Sequence, residues 1–491
     1  MPFRSIVAIF SLAFVLGSSA AARDRDRDRD DVERESPPAV VDARTAADAA
    51  YEAGDYPRVI ALTNWLIENF PRDHAYVAYH LRASAKIEMG RVSGSAKQVR
   101  EGIADARQAL ALAGTVYPWL HIPYLYGLTS LAEIEHRPEH ADQAIKVVSP
   151  VLQFPATKEF TEDDRANLYY QRGLAYAARR DFKLAAADQA EAIRLDSDHL
   201  GAHVKRAEAL AALGQTKLAL AAYDASVAQF PTMLLVYNDR GSFRRTTGDL
   251  DGAISDFSRC LAIDPKFAVG YINRGLCLAE ENDPQAAESD FSQALKQKLD
   301  AGLVVRAQRL RGAARLAQGK APAAIADFDA AIEASPQEAV LYEERGFANF
   351  FQKSFPLAVA DFSKALELKP QSTYLIPWQA LAKARAGQTA QARSLLETSL
   401  RGKTPATGWT AQICSFLLEQ SSQQQLLDAA DEASGSEKNQ RLCEAHYFIG
   451  QQRLLRDEGP EAAEHFREAA DRKEYSLSAF RGARYELADF K

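Results

Sequence analysis

The chain has 491 residues, is 47% hydrophobic and carries a formal net charge of −7. That acidic balance, with no basic stripe interleaved with aromatics, argues against a nucleic-acid partner. No Gly-x-Ser-x-Gly, phosphate-cradling Gly-x4-Gly-Lys-Ser/Thr or Gly-x-Gly-x-x-Gly motif occurs, and Gly319-Lys320 lacks the other residues of a phosphate loop. No enzyme, cofactor or metal is therefore expected.

Residues 1–22 read as a secretory signal. Arg4 supplies the positive end, residues 6–16 form an apolar run too short to span a bilayer, and small residues at 17–22 offer a cleavage site. The first cysteine is Cys260, far beyond that run, so the expectation is an exported, periplasmic or secreted chain that is not lipid-anchored. No later segment is apolar enough to cross a membrane. Residues 23–42 alternate Arg with Asp and then contain Pro37-Pro38, a charged linker with little to bury.

Residues 43–155 hold irregular repeats. Gly54-Asp55-Tyr56 and Pro71 mark the first, residues 91–97 form a Gly/Ser-rich insertion before a helix around 103–113, and residues 124–155 make a stretched third unit. Residues 156–164 are a joint. From 165 to 402 the pattern becomes regular, in seven units. Tyr237-Asn238-Asp239-Arg240-Gly241 leads to Gly248-Asp249-Leu250, Ala253, Asp256-Phe257, Cys260 and Pro265. Arg311-Gly312 leads to Gly319, Ala324, Asp327-Phe328, Ala331 and Pro336; Arg345-Gly346 leads to Ala358, Asp361-Phe362, Ala365 and Pro370. The step of about 34 residues resembles the tetratricopeptide repeat, a helix-turn-helix unit. The resemblance implies an all-α architecture: an α-solenoid of tandem repeats wound as a right-handed superhelix, closed by a C-terminal capping helix.

Within each unit the glycine marks a close helix crossing, and the alanines face it from the second helix. One pair recurs beyond the family template: Arg172/Asp188, Arg240/Asp256, Arg274/Asp290, Arg311/Asp327 and Arg345/Asp361, all spaced by 16. In an antiparallel helix pair this spacing brings guanidinium to carboxylate, so a ladder of structural ion pairs is expected.

Other chemistry is sparse. His136 and His140 stand near three glutamates, but Pro138 between them favours a solvated loop over a metal site. Cys443 and His446 are one turn apart with no further ligands converging. The pairs Cys260/Cys277 and Cys414/Cys443 admit either disulfides or buried thiols replacing core alanines.

The repeat resemblance implies that the first helix of each unit lines a concave groove. In register, that face carries Asn238, Ser242 and Arg245, then Ile272 and Leu276, Arg306 and Arg309, Glu343, Phe347 and Phe350 with Phe351, and Tyr374. The phenylalanines are expected to anchor an extended peptide or an amphipathic helix, the alternative being that they plug space between repeats. Residues 403–491 differ: a helix from Gly408-Trp409, a second over 421–430, one more repeat with Cys443 to Gly450, Ala462, Phe466 and Ala469, and a closing helix with Phe480 and Tyr485. This ending resembles exported bacterial repeat proteins related to NlpI-type lipoproteins, although the lipidated cysteine is absent and the array is longer. The resemblance implies a periplasmic adaptor that binds other proteins, such as cell-wall hydrolases or proteases, with a link to peptidoglycan turnover. Self-association through edge helices is a further expectation. The competing reading is a carbohydrate module in which Trp378, Tyr374 and Trp409 stack on sugar rings.

Overall fold

A computed structural model of the protein describes residues 38–71, 75–113, 117–157, 160–401, 406–474 and 477–490. The signal-like run and residues 23–37 of the charged linker lie outside them. The described residues form 25 α-helices and short 3-10 turns, without strands. None of these helices is long and apolar enough to cross a membrane. Two compact units divide at Gly248/Asp249.

The first unit contains α1 (Pro38–Glu52) with α2 (Tyr56–Asn69), α3 (Ala75–Ser93) with α4 (Ala96–Ala113), and α5 (His121–Ile134) with α6 (Pro138–Val151). Its regular part follows as α7 (Glu162–Ala178) with α8 (Phe182–Leu195), α9 (Leu200–Ala212) with α10 (Thr216–Gln229), and α11 (Leu234–Thr246). Two expectations need correction here. The linker stops at residue 37, because α1 begins at Pro38 and Val40 packs on Leu66 and Ala78. The supposed insertion at 91–97 is mostly helical: α3 runs to Ser93, Gly94 turns the chain at φ 69°, and α4 starts at Ala96. A Gly/Ser-rich string reads as loop by composition, but tertiary packing of two long helices overrides that weak propensity.

The second unit contains α12 (Leu250–Ile263), α13 (Ala268–Glu280) with α14 (Pro284–Ala294), α15 (Ala301–Ala317) with α16 (Ala321–Ala334), α17 (Ala339–Phe351) with α18 (Phe355–Leu368), and α19 (Leu375–Arg385) with α20 (Thr389–Arg401). The C-terminal module follows as α21 (Gly408–Leu417), α22 (Gln423–Asp431), α23 (Gly435–Leu454), α24 (Gly459–Asp471) and α25 (Ser478–Leu487).

Several helix pairs are held at their crossing by a missing side chain. A Cβ on Gly312 would lie 2.7 Å from the Phe328 ring, and one on Gly346 would lie 2.7 Å from Phe362, so only glycine admits the aromatic ring there. Capping is local. Thr161 and Asp164 form a reciprocal capping box at α7, and the Asp300 and Asp283 side chains accept the N–H groups of Leu303 and Ala286 at 2.8 and 2.9 Å.

The arginine–aspartate pairs sit across these crossings. Arg172 binds Asp188 at 2.7 and 2.8 Å, and Arg274 binds Asp290 at 2.8 Å through both nitrogens. Arg311 reaches Asp327 at 2.6 Å and Arg345 reaches Asp361 at 2.6 Å. Arg240 and Asp256 fall in different units; within its own unit Arg240 binds Asp224 at 2.8 Å. The carboxylates of Asp188, Asp290, Asp327 and Asp361 are buried among the helices, which makes these four charge-assisted forks structural.

The arginines do more than the spacing of 16 implied. Arg172 also reaches Ser149, Arg274 reaches Ser258, and Arg345 reaches Asp329, each on the second helix of the preceding pair. One guanidinium thus clamps two consecutive repeats. The irregular repeats have their own version: Arg82 and Lys86 of α3 both bind Asp105 of α4, at 2.6 and 2.7 Å. Its spacing of 23 follows from the greater length of those two helices.

Candidate functional site

The groove residues read from sequence separate into two groups once burial is known. Phe347, Phe350 and Phe351 are 3%, 1% and 7% exposed, so they are core and not partner anchors. Their face is covered by the chain's own C-terminal module. Trp378 packs edge-on against Phe347 and Phe350 and stacks on Tyr447 of α23 at 4.8 Å between centroids. Phe351 stacks on Tyr485 of α25 at 5.0 Å, and the Tyr485 hydroxyl donates to the Leu316 carbonyl. Helix α25 is the cap expected from sequence, seated on the aromatic face that was assigned to a partner. The carbohydrate reading loses its central residue for the same reason, since Trp378 is buried. Trp409 is partly buried, donating to Glu444 at 2.7 Å beneath Arg441.

Ile272 is likewise core, packed with Ala294 and Ala307, and Asn238 is buried, donating to Asp239. Ser242, Arg245, Leu276 and Arg306 are half-buried. Arg309 lies 3.8 Å from Glu344. Glu343 is pushed up by burial against a hydrogen bond with Tyr374, which remains exposed.

The first unit holds a polar set that the sequence reading passed over. The residue just before the recurrent arginine, or its equivalent, is Gln171 on α7, Lys205 on α9 and Asp239 on α11, each 34 positions after the last. Lys205 Nζ binds both oxygens of Glu208 at 3.0 and 2.8 Å. Tyr170 and Tyr223 flank this pair, their hydroxyls pushed up first by burial, with Glu208 adding to the shift. Asp239 is pushed up to about 7 by burial first and then by Glu208, while Lys205 and Asn238 pull the other way. A carboxylate is therefore held where the fold itself disfavours its charge. Sequence offered one signal for this set: the position varies in charge from copy to copy beside a nearly constant arginine.

That shift has a measurable consequence. Between about pH 4 and pH 7 folded Asp239 keeps a proton that the unfolded chain has released, so its contribution to stability falls as pH rises through that window. Asp239→Asn, a mimic of the protonated acid, is expected to match the parent at pH 4 and to be about 1–2 kcal/mol more stable at pH 8, allowing for partial solvent screening. Denaturant titrations at the two pH values check this; equal stability at pH 8 refutes the charged, disfavoured carboxylate.

Other candidates are structural. His140 Nε2 contacts Glu135 Oε2 at 3.1 Å, and among the described residues no group of three or more His, Cys, Asp or Glu side chains converges as a metal site. All four cysteines are buried, and Cys277 packs with Ala253 and Phe257. Cys414 contacts Ser399 and Cys443 donates to the Ala469 carbonyl, so these two thiols serve separate places in the core. Burial pushes them to about 11 and about 12 respectively, which keeps both protonated and unreactive at neutral pH.

A tetratricopeptide-repeat family model matches residues 170–234, 204–266, 272–339 and 314–373. No curated protein matches the sequence. Among solved structures, the chain is similar to YrrB, a TPR protein with an unusual peptide-binding site, at 18% identity and a TM-score of 0.33, covering 38% of this chain and 95% of that one. A tetratricopeptide repeat protein from Parabacteroides merdae matches at 14% identity and 0.35, covering 66% and 98%. PilF of Pseudomonas aeruginosa matches at 18% and 0.37, covering 43% and 95%.

Proposed function

We propose that this chain, a tetratricopeptide-repeat protein, is a non-enzymatic adaptor of the bacterial cell envelope that grips segments of partner proteins along the first helices of its repeats. Repeat arrays of this kind serve as protein-interaction scaffolds, because each unit adds another strip of solvent-facing helix to one extended surface. The observation that carries the choice of site is the Lys205–Glu208–Asp239 set between Tyr170 and Tyr223, with its disfavoured carboxylate. A partner cation placed there would neutralise Asp239, while Tyr170 and Tyr223, both buried, support the set from inside the fold. Export rests on the signal-like residues 1–22, and a role in peptidoglycan turnover rests on the likeness of the last 85 or so residues to NlpI-type proteins.

The test is affinity capture from envelope extract with residues 23–491 as bait, against a Lys205→Gln/Asp239→Asn variant. A protein retained by the parent and lost from the variant supports groove binding and names the partner. Identical captures overturn this site.

A further inference from the structure

Where α22, α23 and α24 meet, four side chains form one hydrogen-bond chain whose proton positions follow from elimination. Arg453 Nη2 donates to Gln423 Oε1 at 3.0 Å. A guanidinium only donates, so this bond turns the amide oxygen toward Arg453 and its NH2 group toward His465. Gln423 Nε2 lies 3.2 Å from His465 Nε2, which must therefore accept. A neutral imidazole has one donor and one acceptor. His465 thus carries its proton on Nδ1 and donates it to His446 Nδ1, 3.0 Å away. His446, accepting at Nδ1, keeps its own proton on Nε2.

Every link needs both rings neutral. A proton added to His446 Nδ1 sets two N–H groups head to head across 3.0 Å. A proton added to His465 Nε2 faces the amide NH2, and the amide cannot turn without releasing Arg453. The surroundings point the same way. Burial first, then His465 and Arg472, hold His446 down at about 4. Burial and Arg453 lower His465, against Glu464 and Glu468. These charged neighbours are themselves engaged: Arg453 with Glu458 at 2.7 Å and Arg472 with Glu468 at 3.8 Å. On the other packed helices, Asp428 of α22 accepts from Gln424, Asp431 binds Lys438, and on α25 Glu486 binds Arg385 while Arg484 stacks on Phe480. Glu444 of α23 is taken by Trp409 of α21.

We propose that His446 and His465 form an acid-sensitive latch, which ties α22 to α23 and α24 while both rings are neutral and opens on acidification. Helix α23 also carries Tyr447 and Phe448, which pack on Trp378, so opening loosens the support under the aromatic core of the second unit. The sign is fixed by the lowered values. The unfolded chain takes up a proton near pH 6.5 that folded His446 refuses until about pH 4, so the latch contributes fully above pH 6.5 and fades as pH falls through that window.

The test is histidine NMR on the full mature chain together with hydrogen exchange of α22–α24 at pH 7 and pH 5, corrected for intrinsic rates. The expected results are the Nδ1–H tautomer for His465, the Nε2–H tautomer for His446, and on the order of a tenfold rise in the opening equilibrium at pH 5. A His446→Gln/His465→Gln variant keeps an accepting and donating pair without titration and should lose that pH dependence. The latch is overturned if either ring titrates at its ordinary value in the folded chain. It is also overturned if the variant keeps the parent's pH response. Should the variant fail to fold, the titrations on the parent chain decide.

Discussion

Phe350→Ala is expected to destabilise the second unit by about 3–5 kcal/mol, the cost of removing a buried aromatic ring whose neighbours cannot collapse into the space. Phe350 is fully buried and touches Phe351, Phe355 and Trp378. Trp378 in turn is wedged against Phe347, Tyr447 and Phe448, so shrinking one ring leaves a void bounded by several others. Leu357→Ala, at a side chain 59% exposed in the following helix, should stay within about 0.5 kcal/mol and serves as the control. Urea unfolding of the two variants measures the contrast. A Phe350→Ala chain as stable as the control would falsify the core assignment and return this face to a partner.

Arg345→Met is expected to cost about 3 kcal/mol, for a different reason. Its fork holds Asp361, which is only 4% exposed, and its remaining nitrogen binds Asp329 on the preceding pair. Removing the guanidinium leaves a buried carboxylate with Asn349 as its main remaining donor, at 2.8 Å, and an uncompensated charge is the expensive half of a broken pair. Two comparisons separate this from lost packing. Arg345→Met/Asp361→Leu should recover most of the loss, because an apolar pair of similar volume carries no stranded charge. Arg194→Ala, which breaks the exposed Glu191 pair, should leave stability essentially unchanged, because solvent screens that pair. If Arg345→Met proves as mild as Arg194→Ala, the clamps are surface decoration.

These two expectations mark what could and could not be read before folding. The Arg345–Asp361 contact was legible because both partners lie in one helix pair, 16 residues apart, in a motif repeated along the chain. Its second bond, to Asp329, depends on how one repeat stacks on the last, and the same repeated spacing hides it, since Asp329 is 16 residues upstream. The aromatic face of α17 was legible as a face and misread in its occupant. What covers Phe347 and Phe351 comes from Trp378, Tyr447 and Tyr485, up to 134 residues further along.

The candidate site shows the same limit. Lys205 and Asp239 stand at one register position, and that much is sequence. That burial beside Glu208 raises Asp239 to about 7 is a property of desolvation, which no spacing encodes. His446 and His465 are 19 residues apart in successive helices, yet their proton positions depend on Gln423 from a third.

By itself, then, the sequence determined the helical pairs, their repeat, the glycine side of their crossings and the first rung of four of the five ion pairs. All of these are contacts inside one unit, where short loops and helical periodicity leave few alternatives. Only the tertiary structure decided which helical faces stay in water, which arginines bind two repeats at once, and which acids and imidazoles are held away from their ordinary charge. Those outcomes depend on the solvent that distant parts of the chain exclude, and exclusion of water is a property of the assembled array, not of any repeat within it.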